Sequence, residues 1–134
     1  MIAAVIAATP PPPWIQRAPI PPPIVAWRLA DVLGTPAAEG IVLNRDAILH
    51  SVTVNVVDSR FNPPRIVRIR ELPGTQVRWL RAGTRDGLAR SEIAVDVRSP
   101  LSETAYLLRV GRRLQLELVR KLRGHQLGPR TFSH

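Results

Sequence analysis

The stretch SPLSETAYLLRVGRRLQLELVRKLRG, residues 99–124, decides how the rest of the chain is read. Leu107, Val110, Gly111, Leu114, Leu118 and Leu122 recur at three- and four-residue spacing, while Arg109, Arg112, Arg113, Glu117, Arg120 and Lys121 fill the other positions. That spacing predicts one long amphipathic helix. Its ends carry helix punctuation: Ser99 as N-cap, Pro100 at the first helical position, Glu103 in the first turn and Gly124 at the stop. Gly111 inside the apolar stripe costs about 1 kcal/mol of helix propensity, so it is read as a point of close approach to a sheet.

Upstream, the period changes from 3.6 to 2. Val52, Val54 and Val56 alternate with Thr53 and Asn55, Val67 and Ile69 with Arg68 and Arg70, and Ile93, Val95 and Val97 with polar neighbours, while Val77 and Trp79 share a face. Each run predicts a half-buried strand. Pro73-Gly74 supplies a type II turn, and Arg85-Asp86-Gly87 marks the tip of a long hairpin. A shorter strand is expected at Ile41–Leu43. Val25, Leu29, Val32 and Leu33 fit a short helix stopped by Gly34 and Pro36.

The expected fold class is therefore α+β: a small, mostly antiparallel sheet, a short N-terminal helix, and one long helix packed on one face. Its core is expected to gather Val54, Val56, Val67, Ile69, Val77, Trp79, Ile93, Val95, Val97, Leu107, Leu114 and Leu118. Three segments follow: a proline-rich arm over residues 1–23, a domain over 24–124 and a short tail over 125–134.

The arm holds eight of the chain's 14 prolines, which predicts an extended polyproline-type backbone. Its own composition cannot order it, so Met1, Ile2, Val5, Ile6, Trp14 and Ile15 are expected to dock on neighbouring subunits or to fold back on the domain. MIAAVIAA lacks the basic start of a secretory signal, and no apolar run is long enough to span a bilayer. No membrane partner is expected.

The charge is +9 over 134 residues, with Lys121 the single lysine among 19 basic residues and no cysteine. A thiolate metal site and a disulfide framework are excluded, and acidic partners are favoured. Arg65, Arg68, Arg70, Arg78 and Arg81 are expected to form a basic sheet face that meets acidic subunit surfaces or DNA phosphates. Arg90, Glu92, Asp96 and Arg98 follow along one strand, and Glu92 with Asp96 imitates a catalytic carboxylate pair. A charge-balanced polar or channel-lining face formed by Arg68, Arg70, Arg78, Arg90, Glu92 and Asp96 is the preferred reading, because no nucleophile, base and oxyanion donor converge. His50, His125 and His134 lack companions at metal-ligand spacing, and no phosphate-binding glycine motif occurs. No cofactor, metal or enzymatic activity is expected.

The order short helix, PRIVRIRELPGT (64–75), hairpin, RSEIAVDVRS (90–99), Leu/Arg-rich helix resembles the tail terminator proteins of long-tailed bacteriophages over about residues 24–124. The resemblance implies a structural virion protein, assembled in the host cytoplasm. It would form a homo-oligomeric, commonly hexameric, ring that caps the tail tube, stops its polymerisation and joins it to the head through neck or head-completion proteins. It implies partners in the tail tube protein and the neck, with non-specific contact to DNA in the channel. The alternatives are another neck component, such as a head–tail stopper or connector, and a basic nucleic-acid-binding protein.

Overall fold

The computed structural model describes residues 10–123. After a single-turn helix, α1 (Pro13–Gln16), come eight strands: β1 (Ile24–Ala30), β2 (Glu39–Asp46), β3 (Ser51–Asp58), β4 (Arg65–Pro73), β5 (Gln76–Ala82), β6 (Glu92–Ser99), β7 (Ser102–Arg109) and β8 (Glu117–Arg123). They pair as two antiparallel meanders in the orders β1-β2-β3-β4 and β5-β6-β7-β8.

The expected α+β class is thus corrected to a mostly β architecture. Residues 102–123 are not a helix packed on a sheet but the last two strands of the second sheet. Tertiary pairing overrides the leucine spacing here. β6 needs a ladder partner on its second edge, and Thr104, Tyr106 and Leu108 present an inward face opposite Val97, Val95 and Ile93. Residues 24–33 are corrected in the same way: Ala26 to Ala30 pair with Leu43 to Glu39, so this segment is an edge strand. The strand expected at 41–43 extends over all of β2.

Side chains from both sheets meet in one core. Ala26, Ile41, Leu43, Val52, Val54, Val56 and Leu72 of the first sheet lie against Val77, Leu80, Ile93, Val95, Val97, Tyr106 and Leu108 of the second, as in a β-sandwich. Five residues expected in the core lie elsewhere. Ile69 faces the outer side of the first sheet, opposite Asn55. Leu114 and Leu118 are exposed, and Trp79 and Leu107 belong to a smaller cluster with Leu88, Ala94 and Ala105 on the outer side of the second sheet.

The sheets are joined at the β4–β5 link, where Gly74 takes φ +140° and its N–H donates to His50 O at 2.9 Å. The next N–H, of Thr75, donates to Arg98 O at 2.9 Å. A Cβ on Gly74 would collide with Val97, so this crossing requires glycine on both counts.

The proline-rich segment straps the first sheet. Ile15 is fully buried with Val42 and Val57, and Trp14, Ile20, Ile24, Trp27 and Ile66 pack around them. Gly40 makes this fit possible, since a Cβ there would press on Ile15 and Trp14.

Candidate interaction face

Strand β4 is the outer strand of its sheet, and its residues were expected to point valine in and arginine out. The register corrects this orientation. Arg68 pairs with Val56 and Arg70 with Val54, placing both arginines on the core-facing side, while Ile69 pairs with Asn55 on the other side. A register shift between the Val56 and Val57 pairs lets Val67 also pack against the core.

The arginines are tolerated because the sandwich opens at this edge and their charged ends reach backbone acceptors. Arg68 Nε donates to Gly111 O at 3.0 Å and its Nη1 to Val67 O at 2.6 Å, while Arg70 Nη1 donates to Leu116 O at 2.9 Å. Backbone bonds reinforce the contact: Ile69 N donates to Leu114 O at 2.9 Å, and Leu116 N to Ile69 O at 3.0 Å.

The β7–β8 connection is therefore stitched along β4, and with it come Arg112 and Arg113, both exposed. Exposed Lys121 and Arg123 follow on β8. Tyr106 joins the two sides: burial pushes its phenol above the ordinary value, and the nearby charges of Arg123 and Arg70 oppose that shift. Arg65 stands over the Phe61 ring, 4.5 Å from its centroid.

The result is a cationic edge of Arg65, Arg68, Arg70, Arg112, Arg113, Lys121 and Arg123. Among the described residues none of these seven is in a salt bridge. Several carboxylates elsewhere have arginine partners of their own. Asp86 meets Arg28 at 2.8 Å, Asp31 meets Arg90 at 3.4 Å and Glu92 meets Arg109 at 3.2 Å. Two carboxylates lie on the edge strands themselves: Glu71 on β4, which accepts from Ser51 Oγ at 3.2 Å, and Glu117 at the start of β8 beside Gly111.

The six residues expected on one polar or channel face separate into three places. Arg68 and Arg70 line the cationic edge, while Arg90 and Glu92 are taken up in the ion pairs just given. Arg78 and Asp96 remain together on the outer side of the second sheet, where the carboxylate beside Asp96 is Glu103 rather than Glu92.

Asp96 is fully buried in β6, 3.9 Å from Arg78, and neither of its oxygens has a conventional hydrogen-bond donor. Glu103 takes the stronger positions, 2.7 Å from Arg78 and 3.2 Å from Arg98. Two adjacent carboxyls cannot both be charged cheaply, so they divide the roles. Burial, then the bond and charge of Glu103, raises Asp96 to about 8; Glu103, against its own desolvation, is held down to about 2 by its bonds to Asp96, Arg78 and Arg98. At neutral pH the pair keeps one proton, on Asp96.

Of the expected arm contacts, Trp14 and Ile15 lie on the chain's own first sheet. Met1, Ile2, Val5 and Ile6 lie outside the described residues, as do Gly124 and the 125–134 tail. Sequence reasoning missed Glu103, Arg123 and the joining of Arg112, Arg113 and Lys121 to β4. The alternation of Thr104, Tyr106 and Leu108 was the available signal.

Compared with protein-family models, curated proteins and solved structures, the chain matches none.

Proposed function

We propose that the chain is a non-enzymatic assembly module that docks on an acidic protein surface through the β4–β8 edge. The observation that carries this reading is the collection of seven cations, free of salt bridges among the described residues, along one side of the molecule, where they outnumber the carboxylates Glu71 and Glu117 of the same strands. Exposed cations of one sign steer an acidic partner and fix its register.

A virion setting remains the implication of the sequence resemblance, with a homo-oligomer and neck proteins as the partners. The terminator role depended on a long helix over residues 99–124, and that helix is replaced by β7 and β8. Within the virion setting, a mostly β domain fits a head–tail stopper or connector better than a tube-capping ring.

The test uses poly-L-glutamate and a 20-base-pair duplex as probes in parallel. The full chain is expected to bind poly-L-glutamate at 50 mM salt, and R112E/R113E/K121E, all at exposed positions, is expected to weaken binding about tenfold or more without changing the melting temperature. Equal binding by the triple variant would overturn the docking edge. Tighter binding to the duplex, with a steep fall in affinity as salt rises, would replace the acidic protein surface with nucleic acid.

A further inference from the structure

One end of the sandwich is apolar, and it is not the cationic edge. The β2–β3 turn exposes Ile48 at 88% and Leu49 at 63%, and the β6–β7 turn exposes Leu101 at 96%. Both turns lie at the end marked by the β4–β5 link, which hydrogen-bonds to His50 O and Arg98 O. Leucine and isoleucine this exposed contribute nothing to the chain's own core.

Hydrogen bonds define the backbone of these turns. Asp46 Oδ1 accepts from Ile48 N at 2.9 Å and Leu49 N at 3.0 Å, and His50 closes the turn at φ +52°. Ser99 pairs with Ser102, leaving Pro100 and Leu101 as a two-residue turn. Beside Ile48 runs a groove of about 530 Å³ whose lining combines prolines and the isoleucines Ile66 and Ile69 with the polar Asn44, Arg45, Thr53 and Asn55.

The opposite end of the molecule is where the described chain starts. Trp14 and Ile15 sit over Gly40, whose neighbours in the ladder are Leu29 and Val57. From there the strap runs along the sheet to Pro23, whose carbonyl accepts from Arg45 N at 3.1 Å next to the β2–β3 turn. Residues 1–9, MIAAVIAAT, precede Pro10 and contain aliphatic and small side chains with no charged one.

We propose that residues 1–9 of one copy dock on the Ile48 end and its groove in the next copy, giving head-to-tail association. Two observations favour a second copy over the same chain. The segment joins the fold at the end away from Ile48, and residues 14–23 already occupy the direct track between the two ends. Nine residues extend at most about 30 Å, so reaching the Ile48 tip within the same chain requires nearly full extension, while the Ile66 side of the groove lies beside Ile15. A segment of aliphatic side chains suits the prolines and isoleucines of this groove, and a heterologous contact of this kind propagates or closes into a ring.

The chain has no cysteine, so single thiols report the contact directly. Val5→Cys and Ile48→Cys proteins, mixed under oxidising conditions, are expected to form mixed disulfide dimers about tenfold faster than Ile48→Cys with a Leu101→Cys partner. Ile48→Ser with Leu49→Ser is expected to shift the light-scattering mass of the full chain to monomer at 100 µM. Poly-L-glutamate binding is expected to stay unchanged in these variants, which separates this inference from the docking edge. Three results would overturn it: a Val5→Cys/Ile48→Cys double variant that closes only within one chain, a wild-type protein that is monomeric at 100 µM, or sedimentation with phosphatidylglycerol vesicles that depends on Ile48 while the protein stays monomeric.

Discussion

Asp96 retains its proton because Glu103 occupies the positions nearest Arg78 and Arg98. In the unfolded chain Asp96 titrates near 3.8, and in the fold near 8. Between those values the folded state binds the extra proton, so this residue lowers stability progressively as pH rises through the window. Glu103 acts in the opposite sense. Its pKa falls from 4.5 to about 2, so its ion pairs contribute fully above pH 4.5 and are lost as pH falls towards 2. Asp96→Asn is expected to increase stability by about 1–2 kcal/mol at pH 5, where the unfolded chain has already lost this proton, and by about 3–4 kcal/mol more at pH 9, where the wild type buries a second charge. Urea denaturation at the two pH values measures both. A loss at pH 9 would mean that Asp96 is an ionised partner of Arg78. Two further substitutions set burial against sequence pattern. Ile15→Ala removes a fully buried side chain and is expected to cost about 2–4 kcal/mol. Leu114→Ala, at a position 61% exposed, is expected to cost less than about 0.5 kcal/mol. The reverse order would put Leu114 in the core and Ile15 outside it.

At the scale of elements, β3, β4, β5 and β6 were legible because strong β-formers alternate with polar residues between turn signals, although in β4 the register puts Arg68 and Arg70 on the side expected for Val67 and Ile69. β7 was not, because both its faces are apolar. Tyr106 and Leu108 face the main core while Ala105 and Leu107 face the outer cluster, so period-two contrast vanishes and leucine spacing imitates a helix. β1 misled for a related reason: Trp27 packs under the strap while Ala26 faces the core, and a register shift between Ile24 and Ala26 breaks the alternation. The cationic edge was half legible. Arg68 and Arg70 were identified as site residues, but Arg112 and Arg113 join them only because residues 110–116 return along β4. Hydrogen exchange tests the corrected hairpin. Amides of the β6–β7 ladder, including Val95 and Tyr106, are expected to be among the slowest, with β8 amides faster at its exposed edge. A continuous protected block over residues 102–122 with helical spacing would restore the discarded helix.

For the whole molecule, charge and apolar surface fall on different sides. The β4–β8 edge is cationic, the Ile48 end is apolar, and the strap covers the outer side of the first sheet. An assembly component needs such separation, since one surface meets copies of itself and another a different partner. The most direct test of the docking edge is a titration of isotope-labelled full chain with poly-L-glutamate at 50 mM salt, followed by backbone amide shifts. Shifts are expected along β4, at Arg112 and Arg113 and along β8, and they are expected to disappear at 500 mM salt. Shifts centred on Arg28, Asp31 and Asp86, or none at all at low salt, would contradict the account.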